Sequence, residues 1–399
     1  MKSPGKSVLW LRLPAGVWAL GLASLFMDAS SELIHSLLPI YITTVLGASM
    51  ATLGVIEGVA ESTASIVKVF SGMLSDYLGR RKLLAVLGYT LAAVTKPVFP
   101  LASSIGWVVA ARFVDRVGKG IRGAPRDALL AEIAPPESRG AAFGLRQSLD
   151  SVGAFIGPLL AMGCLAWFAN NIRPALWVAV IPACITVALI VLAVHEPEGA
   201  ARRPARSPIA RVELRQLGRA YWLVVALASA MTLARFSEAF LIMRAQHAGL
   251  AIALVPLVLV VMNIVYSASA YPAGWAADRM SHRALLVAGL LVLVAADLVL
   301  ALSSAPIGVF IGVALWGLHM GLTQGLLTKL VADTAPQALL GTAFGLFNLA
   351  IGLVLFLASL IAGQLWERLG VSAPFFAGAL FAGIAAVGML LQRSAPKTV

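Results

Sequence analysis

The chain has 399 residues, of which 60% are hydrophobic and only 12% are charged, and its formal net charge is +12. A mean hydropathy of +0.91, with the charges clustered between long apolar runs, excludes an ordinary soluble domain. No basic tract interleaved with aromatic residues occurs, so the positive charge does not predict a nucleic-acid partner. The composition predicts an integral membrane protein whose basic loops set its orientation.

Twelve apolar segments are each near the about 20 residues that a helix needs to cross the hydrocarbon core. We expect the first to be an uncleaved span rather than a signal peptide, because its apolar run is too long for one. Their predicted limits are 16–45, 51–75, 83–103, 106–130, 140–167, 174–194, 220–245, 252–276, 284–303, 306–331, 341–366 and 373–392.

The basic residues predict that both termini are cytoplasmic. With the N-terminus inside, most Lys and Arg residues between the spans fall on the inner side, and only Arg173, Arg244 and Arg368 lie near the outer ends. The one long polar stretch, 195–219, then forms a cytoplasmic linker. It separates an N-terminal six-helix bundle, residues 1–194, from a C-terminal six-helix bundle, residues 220–399.

The two halves repeat each other. EIAPPESRGAAFGL (132–145) aligns with DTAPQALLGTAFGL (333–346), and GMLSDYLGRR (72–81) aligns with GWAADRMSHR (274–283) at nearly the same offset. LASLFMDASSE and LASAMTLARFSE extend the match to spans one and seven with one inserted residue, and this pairs Glu32 with Glu238. Two parallel repeats with a substrate path at their interface are a transporter architecture.

Motifs in the loop after span two and in span five carry a family resemblance. The loop reads GMLSDYLGRRK, which resembles the G-x-x-x-D-x-x-G-R-R-K signature of the major facilitator superfamily, and GAFIGP in span five is similar to the G-x-x-x-G-P motif of its antiporters. The residues concerned are Gly72, Asp76, Gly79, Arg80, Arg81, their repeat equivalents Gly274 and Asp278, and Gly153, Gly157 and Pro158. The resemblance implies an all-α membrane protein of twelve helices in two pseudo-symmetric bundles, working as an antiporter.

Two further stretches, D-x-S-S-E-x-I-H in span one and RVGKGIRGAPRDA in span four, resemble bacterial exporters associated with resistance to nickel and other metals. This resemblance implies a divalent metal as substrate.

We expect the loop after span two to act as a gate. Asp76 is expected to accept hydrogen bonds from the N-terminal amides of a neighbouring helix, and Arg80 and Arg81 to hold the loop to lipid phosphates.

Charged residues inside spans are costly and indicate a cavity or a partner. Asp28, Glu32 and His35 fall on one stripe of span one. Two carboxylates and an imidazole suit a divalent cation. They equally suit a proton carrier or an organic-cation site, or structural pairing with another helix, and these alternatives stay open.

The other charged residues within the predicted spans form several groups, and each group predicts a different role. Glu57 and Glu61, with Lys68, predict pairing within the bundle. Arg112, Asp115 and Arg116 predict a buried polar network, and an anion-binding wall or a relay to Asp76 are the functional alternatives. Arg146 and Asp150 form a pair four residues apart, and Gly153 and Gly157 continue that face as a packing surface.

In the second half, Arg235 and Glu238 predict a central site. Gly317, Gly321 and Gly325 predict helix packing, with His319 as a polar neighbour. All of these residues are candidates for the substrate or proton pathway or its gate.

These observations favour a proton-coupled secondary transporter of the bacterial inner membrane that exports a small solute, either a divalent metal ion or an organic compound. No G-x-x-x-x-G-K-[ST] motif occurs, so we expect no cofactor and the proton-motive force as the energy source. The expected partners are the lipid bilayer, protons and the substrate, and the expected state is a monomer. A membrane-embedded lipid enzyme and a transporter-like sensor are the alternatives.

Overall fold

The computed structural model describes residues 13–78, 80–196, 216–277 and 279–391, and the regular elements within them are all helices. The earlier α-helices are α1 (Ala15–Ile40), α2 (Met50–Leu78), α3 (Arg81–Thr95), α4 (Val98–Leu101), α5 (Ile105–Ile133), α6 (Arg139–Trp167), α7 (Ile172–Val178) and α8 (Val180–Ala193). The later ones are α9 (Arg219–Leu233), α10 (Ala239–His247), α11 (Leu257–Ala277), α12 (His282–Leu302), α13 (Pro306–Thr334), α14 (Leu340–Leu369) and α15 (Ala373–Leu391).

Nine helical segments within the described residues are long and apolar enough to cross a membrane. The predicted spans two, four and seven are not among them. Spans two and four correspond to α2 and α5, which are 29 residues long but carry charged and polar residues along their length. Span seven is divided between α9 and α10. The three predicted spans that are not long and apolar enough therefore hold many of the intramembrane charges that mark a candidate functional site.

The chain divides into two compact units. The first combines Met1–Leu38 with Thr63–Pro208, and the second combines Pro39–Ser62 with Ile209–Val399. The start of α2 joins the second unit through close packing on α14, since a Cβ on Gly363 would lie 3.2 Å from the Gly54 Cα atom. The predicted bundles, 1–194 and 220–399, stay a prediction, and most of the predicted linker 195–219 lies outside the described residues.

Close helix packing in the first unit depends on small residues, as is usual where lipid removes the hydrophobic drive between helices. Gly153 and Gly157 lie on α6 against α1. A Cβ on Gly153 would lie 3.1 Å from the Asp28 Cβ atom, and a Cβ on Gly157 would lie 2.6 Å from the Glu32 Cβ atom. The predicted packing face of span five is thus confirmed, and it brings α6 directly against the acidic stripe of α1.

The predicted glycine face of span ten is confirmed in part. Gly317 and Gly321 on α13 lie against α11, where added Cβ atoms would meet the Tyr266 backbone at 3.2 and 3.1 Å. Gly325 was predicted to share this role, and that prediction is wrong. Among the described residues, nothing lies within 4 Å of the position where its Cβ would stand, so Gly325 makes no close helix contact there.

Two glycines on one helix allow a matched test of the α1–α6 contact. Gly157→Ala places a methyl group against α1 backbone, with the Ala29 carbonyl oxygen at 2.8 Å. We expect a loss of about 1–3 kcal/mol of stability from overpacking. Among the described residues, a Cβ at Gly163 meets nothing within 4 Å, so Gly163→Ala should leave stability unchanged or raise it by the helical preference of alanine. Thermal unfolding of both purified variants measures this difference, and equal midpoints would contradict the contact.

Candidate functional site

A buried ion pair joins α3 to α5 in the first unit. The Lys96 Nζ atom donates to the Asp115 Oδ1 atom at 2.9 Å and to the Ser31 hydroxyl at 3.1 Å. The two charged side chains are only 1% and 5% exposed. Lys96 follows the last residue of α3 and precedes Pro97, where the helical ladder ends. The pair neutralises two charges that neither helix could bury alone.

A second cation on α5 faces Asp28 of α1. The Arg122 Nη2 atom lies 3.8 Å from the Asp28 Oδ1 atom, and the guanidinium stacks over the Tyr89 ring at 4.8 Å from its centroid. The Arg122 Nη1 atom is buried without a hydrogen-bond partner among the described residues. Among the described residues, Asp28 is therefore held by one ion pair, and that ion pair is long.

Another chain of polar contacts links α1, α5 and α6. Arg126 donates to the Ser24 hydroxyl at 2.9 Å and to Asp127 at 3.1 Å. The Arg146 Nη1 atom donates to Asp127 at 2.7 Å, and its Nη2 atom donates to Asp150 at 2.5 Å. The predicted pairing of Arg146 with Asp150 is confirmed, and Asp127 extends it to a second helix.

The predicted metal triad on α1 is not assembled. The Glu32 Oε2 atom lies 3.3 Å from His35 Nδ1, whereas Asp28 lies beside Arg122. Within the described part of the chain, no group of three or more His, Cys, Asp or Glu side chains could hold a metal ion. A shared helical stripe does not by itself bring three donors together, because the guanidinium of another helix attracts one of them.

Span seven in the second unit is a broken helix, so the prediction of one continuous helix over 220–245 is wrong. Between α9 and α10, Phe236 turns into an aromatic cluster with Phe240, Trp316 and Phe375 at centroid distances of 5.4, 5.8 and 5.4 Å. The Ser237 amide, which no longer bonds within a helix, donates to the Ser359 hydroxyl at 3.1 Å. Burial of the aromatic ring and this substitute hydrogen bond stabilise the break.

The break places Arg235 beside a cavity. This cavity has a volume of about 270 Å³ and lies within the second unit, between α9, α13 and α14. Its lining residues are Met231, Thr232, Arg235, His319, Thr323, Gln324, Leu327, Thr328, Phe347, Asn348 and Ile351. The cavity combines one cation with neutral polar groups and a smaller apolar wall.

Asp297 on α12 is a buried acid of the second unit that does not line this cavity. It is fully buried, and its Oδ1 atom accepts from the Trp316 indole N–H at 3.1 Å. Its Oδ2 atom has no hydrogen-bond partner among the described residues. A carboxyl group with one unsatisfied oxygen in such surroundings is costly to keep ionised.

The fold and these polar helices correspond to a known family. Residues 20–262 and 225–399 match the family model described as Major Facilitator Superfamily. The chain belongs to the Major Facilitator Superfamily. It is 30% identical to an uncharacterized MFS-type transporter of Methanocaldococcus jannaschii over 388 residues, which cover 95% of this chain and 94% of that protein.

Two other superfamily comparisons differ in extent. The quinolone resistance protein NorA of Staphylococcus aureus is 25% identical over 126 residues, covering 32% of each chain. The crystal structure of a mutant of the nucleoside transporter NupG is similar with a TM-score of 0.81, covering 94% of this chain and 98% of that one. At 11% identity, this second similarity shows the fold alone. The chain is a superfamily transporter with a multi-pass helical membrane fold.

The other predicted site residues fall into three groups. Arg112, Asp115 and Arg116 are buried, as expected for a polar network, and Glu57 is fully buried with the Ser237 hydroxyl at 3.4 Å. Glu61 is partly buried. The functional roles of these residues, and the pairing of Glu61 with Lys68, stay predictions.

The superfamily signature motif is described only in part. Arg81 pairs with Glu132 of α5 and donates its amide to Glu196 at 2.6 Å, so its guanidinium contacts protein, whereas Arg80 is exposed. Gly274 is exposed on α11. Gly79 and Asp278 lie outside the described residues. Of Gly72 and Asp76 only their place in α2 is described, so the predicted Asp76 gate stays a prediction.

Five charged residues of these networks were not predicted as site residues: Lys96, Arg122, Arg126, Asp127 and Asp297. A lysine within an apolar run and directly before a proline is a detectable signal for Lys96. The break in span seven also has a signal in the sequence, because the one inserted residue of the second repeat falls between Leu227 and Glu238, where the helix is interrupted. No local pattern identifies the partners of Arg122 and Asp127.

The Lys96–Asp115 pair predicts a large effect from a small substitution. Asp115→Asn leaves Lys96 buried with Ser31 as its remaining partner, and we expect a loss of about 3–5 kcal/mol of stability. The double variant Lys96→Met/Asp115→Asn should recover part of this loss, because the uncompensated Lys96 charge is gone, whereas the buried Arg112 and Arg116, which also interact with Asp115, have lost the attraction of its charge. Thermal unfolding of the purified proteins measures both effects. Asp333→Asn, at an exposed aspartate, is the control, and an Asp115→Asn variant as stable as this control would contradict the pair.

Proposed function

We propose that the chain is a proton-coupled secondary transporter that exports a small organic compound across the bacterial inner membrane, with twelve spans and cytoplasmic termini. The observation that carries this proposal is the placement of two carboxyl groups, Asp28 and Glu32, on one membrane-spanning helix. Each has a partner that responds to its charge, Arg122 for Asp28 and His35 for Glu32.

These contacts supply a physical route from proton binding to helix packing. A proton on Asp28 would remove its attraction for Arg122 and weaken a contact between α1 and α5. A proton on Glu32 would change its hydrogen bond with His35 in the same way. Because Gly157 lies against the Glu32 Cβ atom, a change at Glu32 also reaches α6. A protonation event at α1 can therefore bias two helix contacts, and a transporter cycle needs such a bias.

An organic compound is favoured over a divalent metal as substrate. The described residues contain no three-donor group for a metal ion, whereas the second unit contains a cavity with amide, hydroxyl and guanidinium groups. One relative is named for quinolone resistance, and this name supports a small organic compound. The G-x-x-x-G-P motif of antiporters packs on the acidic helix in this chain, which supports export coupled to proton entry.

The substrate class is tested first in cells. We expect cells that lack the protein to become more sensitive to some organic compounds, and overproducing cells to become more tolerant of the same compounds. Tolerance of nickel, cobalt, iron and zinc should stay unchanged in both strains. A shift confined to one of these metals would overturn the choice of an organic substrate and restore the metal hypothesis.

Proton coupling is tested with Glu32→Gln in proteoliposomes, using a compound that the cell panel identifies. We expect flux driven by a pH gradient to fall to the level of protein-free liposomes, while the unfolding midpoint stays close to that of the wild type. The glutamine keeps the size of the side chain but cannot exchange a proton. Glu137→Gln, at an exposed glutamate, is the matched control and should transport normally. Undiminished pH-driven flux in Glu32→Gln would rule out this role.

A further inference from the structure

The cavity of the second unit has an unusual balance of charge. Arg235 is the only charged side chain among its described lining residues, if the His319 ring is neutral, and no Asp or Glu lines it. The guanidinium makes no hydrogen bond or close ion pair with any other residue in the described part of the chain, although Glu238 lies near enough to attract it. A guanidinium presents five N–H donors in a planar fork. The cavity therefore offers most of these donors to a bound molecule.

The three threonines of the cavity offer acceptors rather than donors. Their hydroxyl groups donate to helix carbonyl oxygens four residues earlier: Thr232 to Ala228 at 2.8 Å, Thr323 to His319 at 2.8 Å and Thr328 to Gln324 at 2.9 Å. Each hydroxyl proton is thus committed to the backbone, and only the oxygen lone pairs remain for another partner.

His319 offers an acceptor for a similar reason. Its Nδ1 atom lies 2.8 Å from the Gly289 carbonyl oxygen, and a carbonyl only accepts, so the proton is on Nδ1. In the neutral ring the Nε2 atom is then an acceptor. Gln324 is the reverse case, because its Oε1 atom accepts from the Tyr266 hydroxyl at 3.2 Å and leaves the amide N–H groups.

We propose that this cavity is the substrate subsite for a small hydroxylated carboxylic acid. Arg235 binds the carboxylate through two N–H donors, and an amide N–H of Gln324 or Asn348 adds a further donor. His319 and the threonine oxygens accept from a hydroxyl of the ligand, and Leu327, Phe347 and Ile351 contact its carbon skeleton. The volume of about 270 Å³ is slightly below the usual range of about 300–1,000 Å³ and fits a compact ligand.

The donor set favours a carboxylate over a phosphate. One cation with neutral amides balances a single negative charge, whereas a phosphate dianion would leave an uncompensated charge in a site without a second cation. An amine ligand is also disfavoured, because the cavity would place it beside a guanidinium and no Asp or Glu is among its described lining residues. The subsite rests on the proposed transport function for its role, but its ligand chemistry stands on the cavity itself.

The alternative to ligand binding is a purely structural role for Arg235. Arg235 lies two residues after the end of α9, where a positive side chain also interacts favourably with the helix dipole. A purely structural Arg235 would change the stability of the ligand-free protein and leave ligand binding intact. A binding residue would change the response to ligand, so the two roles are separated by measuring both.

The test uses purified full-length protein in detergent without any ion gradient. The probes are lactate, gluconate and 4-hydroxybenzoate, each beside its carboxamide, together with inorganic phosphate. We expect at least one of the acids to raise the unfolding midpoint, and its carboxamide and phosphate to have little effect. Arg235→Gln should raise the Kd of that acid by about 10- to 100-fold, the loss expected for hydrogen bonds between charged groups. Arg235→Lys, which keeps the charge but not the fork, should be intermediate.

Arg219→Gln is the matched control, because this arginine is exposed in the same unit, at the first residue of α9. It should bind the acid as the wild type does. The subsite is overturned if no acid raises the midpoint, if the carboxamide or phosphate binds as well as the acid, or if Arg235→Gln binds like Arg219→Gln.

The outcomes also separate this subsite from the proposed function. Glu32→Gln should keep acid binding while it loses pH-driven flux. Acid binding that requires Arg235, without any pH-driven transport, would support the subsite and overturn proton coupling. Proton-driven transport of compounds that lack a carboxylate, unaffected by Arg235→Gln, would overturn the subsite and leave proton coupling intact.

Discussion

The constraint on which the first unit depends is that a charge buried in a membrane-spanning bundle needs a partner from another helix. Lys96 and Asp115 are the clearest case, because the hydrocarbon core holds no water that could solvate either charge in place of its partner. Their contact holds the end of α3 to the middle of α5. With this contact in place, Arg122 on the same helix faces Asp28 of α1. Both contacts are made by α5, so this helix supplies a partner to the end of α3 and to the acidic stripe of α1.

The second unit satisfies the same constraint by other means. One of its cations within a span segment, Arg235, lies at a helix break beside a cavity instead of in a close ion pair. The break is stabilised by the aromatic packing of Phe236 and by the bond from Ser237 to Ser359. Asp297 is buried against Trp316 with no cation in hydrogen-bond contact among the described residues. The first unit thus neutralises charge by pairing, and the second leaves polar groups available for a ligand.

This difference suits a transporter that couples two events. In the proposed function, proton exchange needs carboxyl groups whose protonation alters helix contacts, and Asp28 and Glu32 of α1 are the groups proposed for it. Substrate binding needs donors and acceptors that are not consumed within the protein, and the cavity beside Arg235 is the site proposed for it. The two halves of a repeated fold have therefore diverged in chemistry, although their sequences still align around Glu32 and Glu238.

The sequence by itself determined the features that depend on neighbours along the chain. It predicted the helical membrane fold, the glycine face of α6 and the Arg146–Asp150 pair, because hydropathy and helical periodicity are local properties. The superfamily followed instead from the resemblance of the GMLSDYLGRRK and GAFIGP stretches to known motifs. Only the tertiary structure decided that Lys96 binds Asp115, that Asp28 turns to Arg122 rather than to a metal site, and that Arg235 opens onto a cavity. These arrangements depend on which helices approach each other, and side-chain spacing along one helix carries no information about the charges that another helix will bring.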